Sequence, residues 1–212
     1  MQTPRPDEAP EPIGVGPWQG PWPDDPRYDP ELLAAGDARN VVDRYRYWSR
    51  EAIVADIDGR RHDLHVAIEN FTHDLNIGSV VRTANAFAVA EVHIVGRRRW
   101  NRRGAMVTDR YQHLRHHADA SALAEWAATR GLPLLGIDNV PGAVPLETYD
   151  LPRACVLMFG QEGPGLSQAA RDTCDILSIA QFGSTRSVNV GAAAAIAMHA
   201  WVRRWVFDQA PG

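Results

Sequence analysis

Leu157-Met158-Phe159-Gly160-Gln161-Glu162-Gly163-Pro164-Gly165-Leu166-Ser167 is the stretch on which the fold turns. An apolar strand runs into a glycine-rich turn, and the turn opens a helix. A short apolar run bounded by turn signals suits a strand buried on both faces. In open parallel sheets ligands lie beyond the carboxyl ends of the strands, and three glycines let backbone amides approach one closely. A phosphate-binding P-loop is excluded, because the Gly-Lys-Ser/Thr ending is missing. Taken alone, the turn equally fits a plain strand-to-helix connection.

The same alternation repeats outward from this stretch. Strands are predicted over 64–69, 91–95, 132–137, 155–159 and 176–180, with a weaker candidate at 114–117, and helices over 78–90, 120–130, 167–173 and 189–206. This pattern predicts an α/β domain, a mostly parallel sheet with helices on both faces. Upstream the composition changes: nine of the 15 prolines fall in residues 1–30, among acids and few aliphatic residues. Such a segment buries too little surface to offset its ordering entropy, so 1–30 reads as a disordered or loosely draped leader, although Trp18, Trp22 and Tyr28 give it aromatics that can dock on a partner or on the domain itself. A helix is predicted from 30 or 31 to 55, interrupted near Gly36. Its Arg44, Tyr45, Arg46, Tyr47, Trp48 and Arg50 suit RNA or a solvated face with an aromatic anchor. The expected division is a leader (1–30), a helical extension (31–63) and one catalytic domain (64–212).

The net charge of −4 on 212 residues argues at first against a nucleic-acid partner. The charge is unevenly spread, however: residues 1–63 carry −5 and residues 64–212 carry +1. Within 97–117, seven arginines face one acid, Asp109. Arg97, Arg98, Arg99, Arg102 and Arg103 are the candidate phosphate contacts, against the alternative of a solvated loop. All 22 cationic residues are Arg, which would suit bidentate phosphate contacts, but a GC-rich coding bias is the preferred reading of that usage. His113, His116 and His117 lack supporting ligands, so no metal is expected. Cys155 and Cys174 are too few for a disulfide framework. No apolar run approaches the roughly 18 residues of a membrane span, and the expectation is a soluble, cytoplasmic protein without a membrane partner.

Two further motifs carry polar residues where chemistry uses them. In Asn76-Ile77-Gly78-Ser79-Val80-Val81-Arg82-Thr83-Ala84-Asn85-Ala86-Phe87, Ser79, Arg82 and Asn85 recur at i, i+3 as one polar stripe on an apolar helix. Arg82 calls for an anion, either a core carboxylate or a ligand; Asn76 either caps the helix or serves the site. In Ile179-Ala180-Gln181-Phe182-Gly183-Ser184-Thr185-Arg186-Ser187-Val188-Asn189-Val190-Gly191, Ser187 and Asn189 stand at a helix entrance, where side chains and free amides can face a ligand.

Together and in this order, the three motifs resemble those of the SpoU/TrmH branch of the SPOUT RNA methyltransferases. The match runs through Asn76/Gly78/Arg82, then Phe159/Gly160/Glu162/Gly163/Gly165, then Ile179/Ser187/Val188/Asn189, and it spans about 64–206. Val188 departs from the usual Leu, Gly191 from a frequent Ser, and Ala88 from a common Gly.

The resemblance implies a C-terminal deep trefoil knot, a homodimer, and methyl transfer from S-adenosyl-L-methionine to a ribose 2′-hydroxyl. The RNA would be tRNA, with ribosomal RNA as the alternative and a non-catalytic RNA-binding protein as a different class. By the same resemblance Ile137, Gly160, Glu162, Gly165, Ile179, Ser187, Val188 and Asn189 hold the cofactor, and Arg82, Asn76, Ser187 and Asn189 form the catalytic group. Arg82 would act as base or as a clamp on phosphate and developing alkoxide; a guanidinium holds its proton tightly, which favours the clamp. Trp201, Arg203, Arg204 and Trp205 fit a dimer interface or an RNA contact.

Overall fold

A computed structural model of the chain describes residues 14–71 and 76–208. The chain divides into two compact units after Gly59.

In the first unit, α1 (Pro30–Ala35) and α2 (Arg50–Asp58) flank a single 3-10 turn, Asp43–Tyr45. The helix expected from 30 or 31 to 55 with a break near Gly36 does break at Gly36, but beyond it only Arg50–Asp58 is α-helical and Asp43–Tyr45 is a 3-10 turn. Asp29 caps α1, and Gly36 at φ 94° ends it in a conformation that favours glycine. The chain then turns the buried Asp37 carboxylate inward, where it accepts from the Arg39 amide (3.0 Å), the Arg39 guanidinium (2.8 Å) and the Tyr47 amide (2.9 Å). Burial by itself would raise the Asp37 pKa, but Arg39 and the two amides outweigh it and hold the group at about 2.

Residues 14–30 correct the expectation of a disordered leader. Val15 bridges Asp37, Tyr28 bridges Trp48, and the Trp18 ring stands edge-on to Tyr28 and Tyr47. The aromatics supply the burial that the aliphatic count lacked. Residues 1–13 of that predicted leader lie outside the described residues.

The second unit is built on a seven-stranded, wholly parallel sheet. In chain order its elements are β1 (His62–Asn70), α3 (Asn76–Ala86), β2 (Val89–Gly96), β3 (Leu114–His117), α4 (Ala120–Ala128), β4 (Leu134–Ile137), β5 (Val144–Pro145), β6 (Cys155–Phe159), α5 (Gln168–Arg171), β7 (Asp175–Ser178) and α6 (Val190–Trp205). The strand order is β3-β2-β1-β6-β4-β7-β5, which slots β6 between β1 and β4. Only the two-residue β5 escaped the sequence reading, being too short for any periodicity. The weaker candidate at 114–117 is the edge strand β3.

Period-2 alternation assigns the core. Leu64, Val66, Ile68, Leu157 and Phe159 pack under α3 and α6, while Ala67, Val156 and Met158 pack under α4 and α5. Burial pushes the Cys155 thiol up to about 12 and Cys174 up to about 11, which disfavours the thiolate form at neutral pH. Among the described residues, no helix is long and apolar enough to cross a membrane.

Candidate active site

The carboxyl ends of β4 and β6 and the chain just beyond β7 converge on a cleft of about 680 Å³. Ile137 closes one side; Phe159 and the turn from Gly160 to Gly165 form the floor; Ile179, Gln181 and the segment from Arg186 to Val190 form the other wall. All eight residues expected to hold a cofactor line this cleft. The turn closes through reciprocal backbone bonds between Gln161 and Gly165, each 3.0 Å. A Cβ on Gly160 would lie 2.0 Å from the Gly165 carbonyl carbon, so only glycine allows that closure.

Three side chains from the three motifs meet at the mouth. Asn76 Nδ2 donates to Glu162 Oε2 (2.5 Å), and Asn189 Nδ2 donates to Asn76 Oδ1 (3.0 Å) and to Glu162 Oε1 (3.4 Å). Asn189 Oδ1 meanwhile accepts from the Gly191 and Ala192 amides, so Asn189 is the N-cap of α6 as well as a member of the cluster. Glu162 is thereby held by two amide groups with its carboxylate at the edge of the cleft.

Ser187 is exposed on the wall beside Val188. Arg82 is exposed on α3, one turn beyond Ser79. A Cβ on Gly191 would lie 3.4 Å from the Ser79 Cβ, which sets this polar stripe against the start of α6. Among the described residues Arg82 has no hydrogen bond or ion pair, so the core-carboxylate alternative finds no partner there. The third member of the stripe, Asn85, keeps a buried Oδ1 without a partner among the described residues.

Sequence reasoning missed the residues that brace the site. Asp138, just past β4, accepts from the Leu166 amide (3.1 Å) and the Arg171 guanidinium (3.0 Å) and so holds the far end of the glycine turn. The buried Glu69 accepts from the Ser167 amide (2.8 Å) and hydroxyl (2.6 Å). Asn139 donates to the Arg186 carbonyl (3.0 Å). A carboxylate directly after a parallel strand is the signal that would have found Asp138.

The five candidate RNA-contact arginines, Arg97, Arg98, Arg99, Arg102 and Arg103, are all exposed. Their root is fixed by the buried Asn70, whose Nδ2 donates to the carbonyls of Arg97 (2.6 Å) and Arg99 (2.9 Å). Trp201 and Trp205 are used internally, donating to carbonyls at Pro152, Arg153 and Leu151.

The histidines also group differently from the sequence expectation. His65, His93 and His117 lie on three adjacent strands, linked Nδ1 to Nε2 at 3.1 Å and 2.9 Å under the Trp126 ring. Burial foremost, then the neighbouring imidazoles and arginines, pushes His93 down to about 2; burial also lowers His65 and His117. His65, Glu91 and His93 bring possible metal-ligating atoms within 4.8 Å of one another. The Glu91 carboxylate is already taken by Arg115 at 2.8 and 3.1 Å, and the imidazoles by each other.

Residues 63–199 match the model of the SpoU rRNA Methylase family. An uncharacterized tRNA/rRNA methyltransferase of Mycobacterium ulcerans is 31% identical over 185 residues, covering 82% of this chain and 59% of that protein. One of Mycobacterium avium is 32% identical over 165 residues, covering 74% and 52%. The chain thus spans between half and three fifths of the length of these relatives. Among solved structures, the TrmH/SpoU tRNA modifying enzyme of A. aeolicus aligns with a TM-score of 0.66 at 20% identity, over 75% of this chain and 83% of that one. The SpoU methyltransferase AviRb of Streptomyces viridochromogenes, solved in complex with AdoMet, aligns at 0.62 and 25% identity, over 71% and 61%.

Proposed function

Since the chain belongs to the SpoU rRNA Methylase family, we propose that it is an S-adenosylmethionine-dependent RNA methyltransferase that modifies a ribose 2′-hydroxyl, with tRNA as its substrate and a homodimer as its working form. The observation that carries the reading is the cluster of Asn76, Glu162 and Asn189 at the mouth of the cleft, with Arg82 exposed on the adjoining helix and without a partner among the described residues. The donor set of the cleft suits the cofactor. Ile137, Ile179 and Val188 offer apolar surface to a flat ring, and Gly160 and Gly165 keep the backbone within reach of polar edges. When bound, S-adenosylmethionine supplies the methyl group.

The chain's own residues do the rest by positioning and charge. Arg82 grips an RNA phosphate and stabilises negative charge as it develops on the ribose oxygen, a task a fixed guanidinium performs without giving up its proton. Asn76 and Asn189 hold Glu162 in place. Ser187 offers a hydroxyl at the wall of the cleft. The exposed Arg97, Arg98, Arg99, Arg102 and Arg103 bind the phosphate backbone and set the register of the RNA. The trefoil knot belongs to the same proposal, supported by the insertion of β6 between β1 and β4.

Incubation with tritiated S-adenosylmethionine and bulk tRNA or ribosomal RNA, followed by nucleoside analysis, tests this directly. Label on 2′-O-methyl nucleosides of tRNA is the expected result. Label on a base, or on no RNA, overturns the reading, and label on ribosomal RNA alone overturns the choice of tRNA.

A further inference from the structure

Between the two 3-10 turns Arg102–Ala105 and Thr108–Arg110, Met106 (φ 48°) and Val107 (φ 71°) both occupy the left-handed region. Glycine, asparagine or aspartate adopts that region readily, whereas a β-branched valine is among the residues least suited to it. Both side chains are nonetheless apolar and turned outward, 57% and 52% exposed. Strain of this kind persists only where the surrounding structure over-determines it, and it concentrates at working sites.

The surrounding structure here is specific. Asn101 Oδ1 accepts from the Arg103 amide (2.9 Å), Thr108 Oγ1 donates to the Ala105 carbonyl (2.6 Å), and Arg102 pairs with Asp109 at 3.4 Å. The loop is also pressed onto the first turn of α3, the helix that carries Asn76 and Arg82. A Cβ on Gly78 would lie 2.6 Å from the Ala105 nitrogen and 2.7 Å from Gly104. The apolar tip is therefore held at a fixed place relative to the candidate catalytic residues, and the exposed Arg102, Arg103 and Arg110 surround it in sequence.

We propose that Met106 and Val107 form an apolar wedge that packs against an unstacked base of the RNA substrate, while the neighbouring arginines hold its phosphates. The proposal rests on the reading of the chain as an RNA methyltransferase. Its physical logic is that an apolar tip flanked in sequence by exposed arginines complements a polyanion whose bases expose apolar faces once unstacked. Apolar side chains inserted beside a base step unstack it, and a splayed nucleotide presents its sugar to a pocket more openly than one inside a helix. The alternative occupant of an exposed apolar tip, a second copy of the chain, is an outcome of the test.

The test uses the full chain and the double variant M106N/V107N. Asparagine accepts the left-handed backbone, so the loop keeps its shape and the melting temperature holds or rises while the apolar surface is removed. Binding is followed with a single-stranded oligoribonucleotide carrying 2-aminopurine, whose fluorescence rises on unstacking. The expected result is a fluorescence rise with the unsubstituted protein that is lost in the double variant, an affinity about tenfold weaker, and an unchanged salt dependence, since no arginine is touched. S-adenosylmethionine binding, measured by calorimetry, stays unchanged. A double variant that retains both the fluorescence rise and the affinity overturns the wedge, as does a fall from dimer to monomer in sedimentation, which would assign the tip to a second copy. If the unsubstituted protein neither methylates nor binds RNA, the functional reading has failed, and the wedge with it; if it does both and the variant is indistinguishable from it, the wedge alone has failed.

Discussion

Replacing Gly160 with alanine is the sharpest single perturbation of the cleft. The added Cβ would lie 2.0 Å from the Gly165 carbonyl carbon and 2.2 Å from both the Gly165 oxygen and the Leu166 nitrogen. All three are backbone atoms, so no side-chain rotation relieves the overlap, and the two arms of the turn must separate by about an ångström or more to restore ordinary contact. Separation breaks both reciprocal Gln161 and Gly165 hydrogen bonds and the bond from the Leu166 amide to Asp138. At about 1 kcal/mol for each neutral bond and about 2 for the one to a carboxylate, the loss is about 4 kcal/mol. For a chain of this size that corresponds to a melting temperature lower by roughly 8 to 16 °C. The Gly160 to Gly165 floor moves with it, so S-adenosylmethionine affinity should fall by about tenfold or more. Differential scanning calorimetry and isothermal titration of the purified variant measure the two effects. A variant melting within about 2 °C of the unsubstituted protein and binding the cofactor equally well would refute the claim that the close approach at Gly160 shapes the cleft.

Three other outcomes follow from the geometry. Arg82→Lys keeps the charge and loses the fork; because Arg82 has no partner among the described residues, the melting temperature should hold while kcat falls by about a hundredfold in the tritium assay, and full activity would count against the clamp. The buried histidines impose an acid limb on stability. Their folded pKa values lie below the ordinary 6.5, so their contribution is complete above about pH 6.5 and is lost as pH falls, because the unfolded chain then binds protons that the folded chain refuses. His93→Phe should therefore remove about 2 kcal/mol of the stability lost between pH 7 and 5 in urea titrations, and an unchanged slope would show that His93 is not held neutral. In the first unit, Asp37→Ala removes the buried carboxylate that accepts from the Arg39 guanidinium and the Tyr47 amide, leaving Arg39 its bond to the Trp48 carbonyl; destabilisation of about 3 kcal/mol should appear as faster hydrogen exchange confined to residues before Gly59.

How much was legible in the sequence varied with how local each signal is. β6 and the glycine turn were read at their observed bounds, because an apolar run followed by closely spaced glycines admits few other conformations. The motif resemblance named eight candidate cofactor residues, and the cleft draws all eight together. The first unit was misread because its order comes from Trp18 against Tyr28 and Tyr47 and from Asp37 gathering donors out of separate turns. None of these has a period. The strain at Met106 and Val107 was invisible, since nothing in their side chains announces a left-handed backbone. The histidine chain was missed because His65, His93 and His117 are separated by whole elements and meet only through parallel registers.

The sequence by itself determined the class of fold, the turn that needs glycine at Gly160, and the polar residues of the three motifs. Each of these depends on neighbours within one strand, turn or helix, where steric limits on the backbone and the periods of side-chain direction act directly. Tertiary structure alone decided that β6 enters between β1 and β4, and that Asn76, Glu162 and Asn189 converge across separations of 86 and 113 positions. It also decided that Arg82 stands without a partner among the described residues while Asp37 and Glu69 are fully engaged. These outcomes depend on which surfaces the assembled sheet brings into contact, and chain closure over such distances leaves no trace in local pattern.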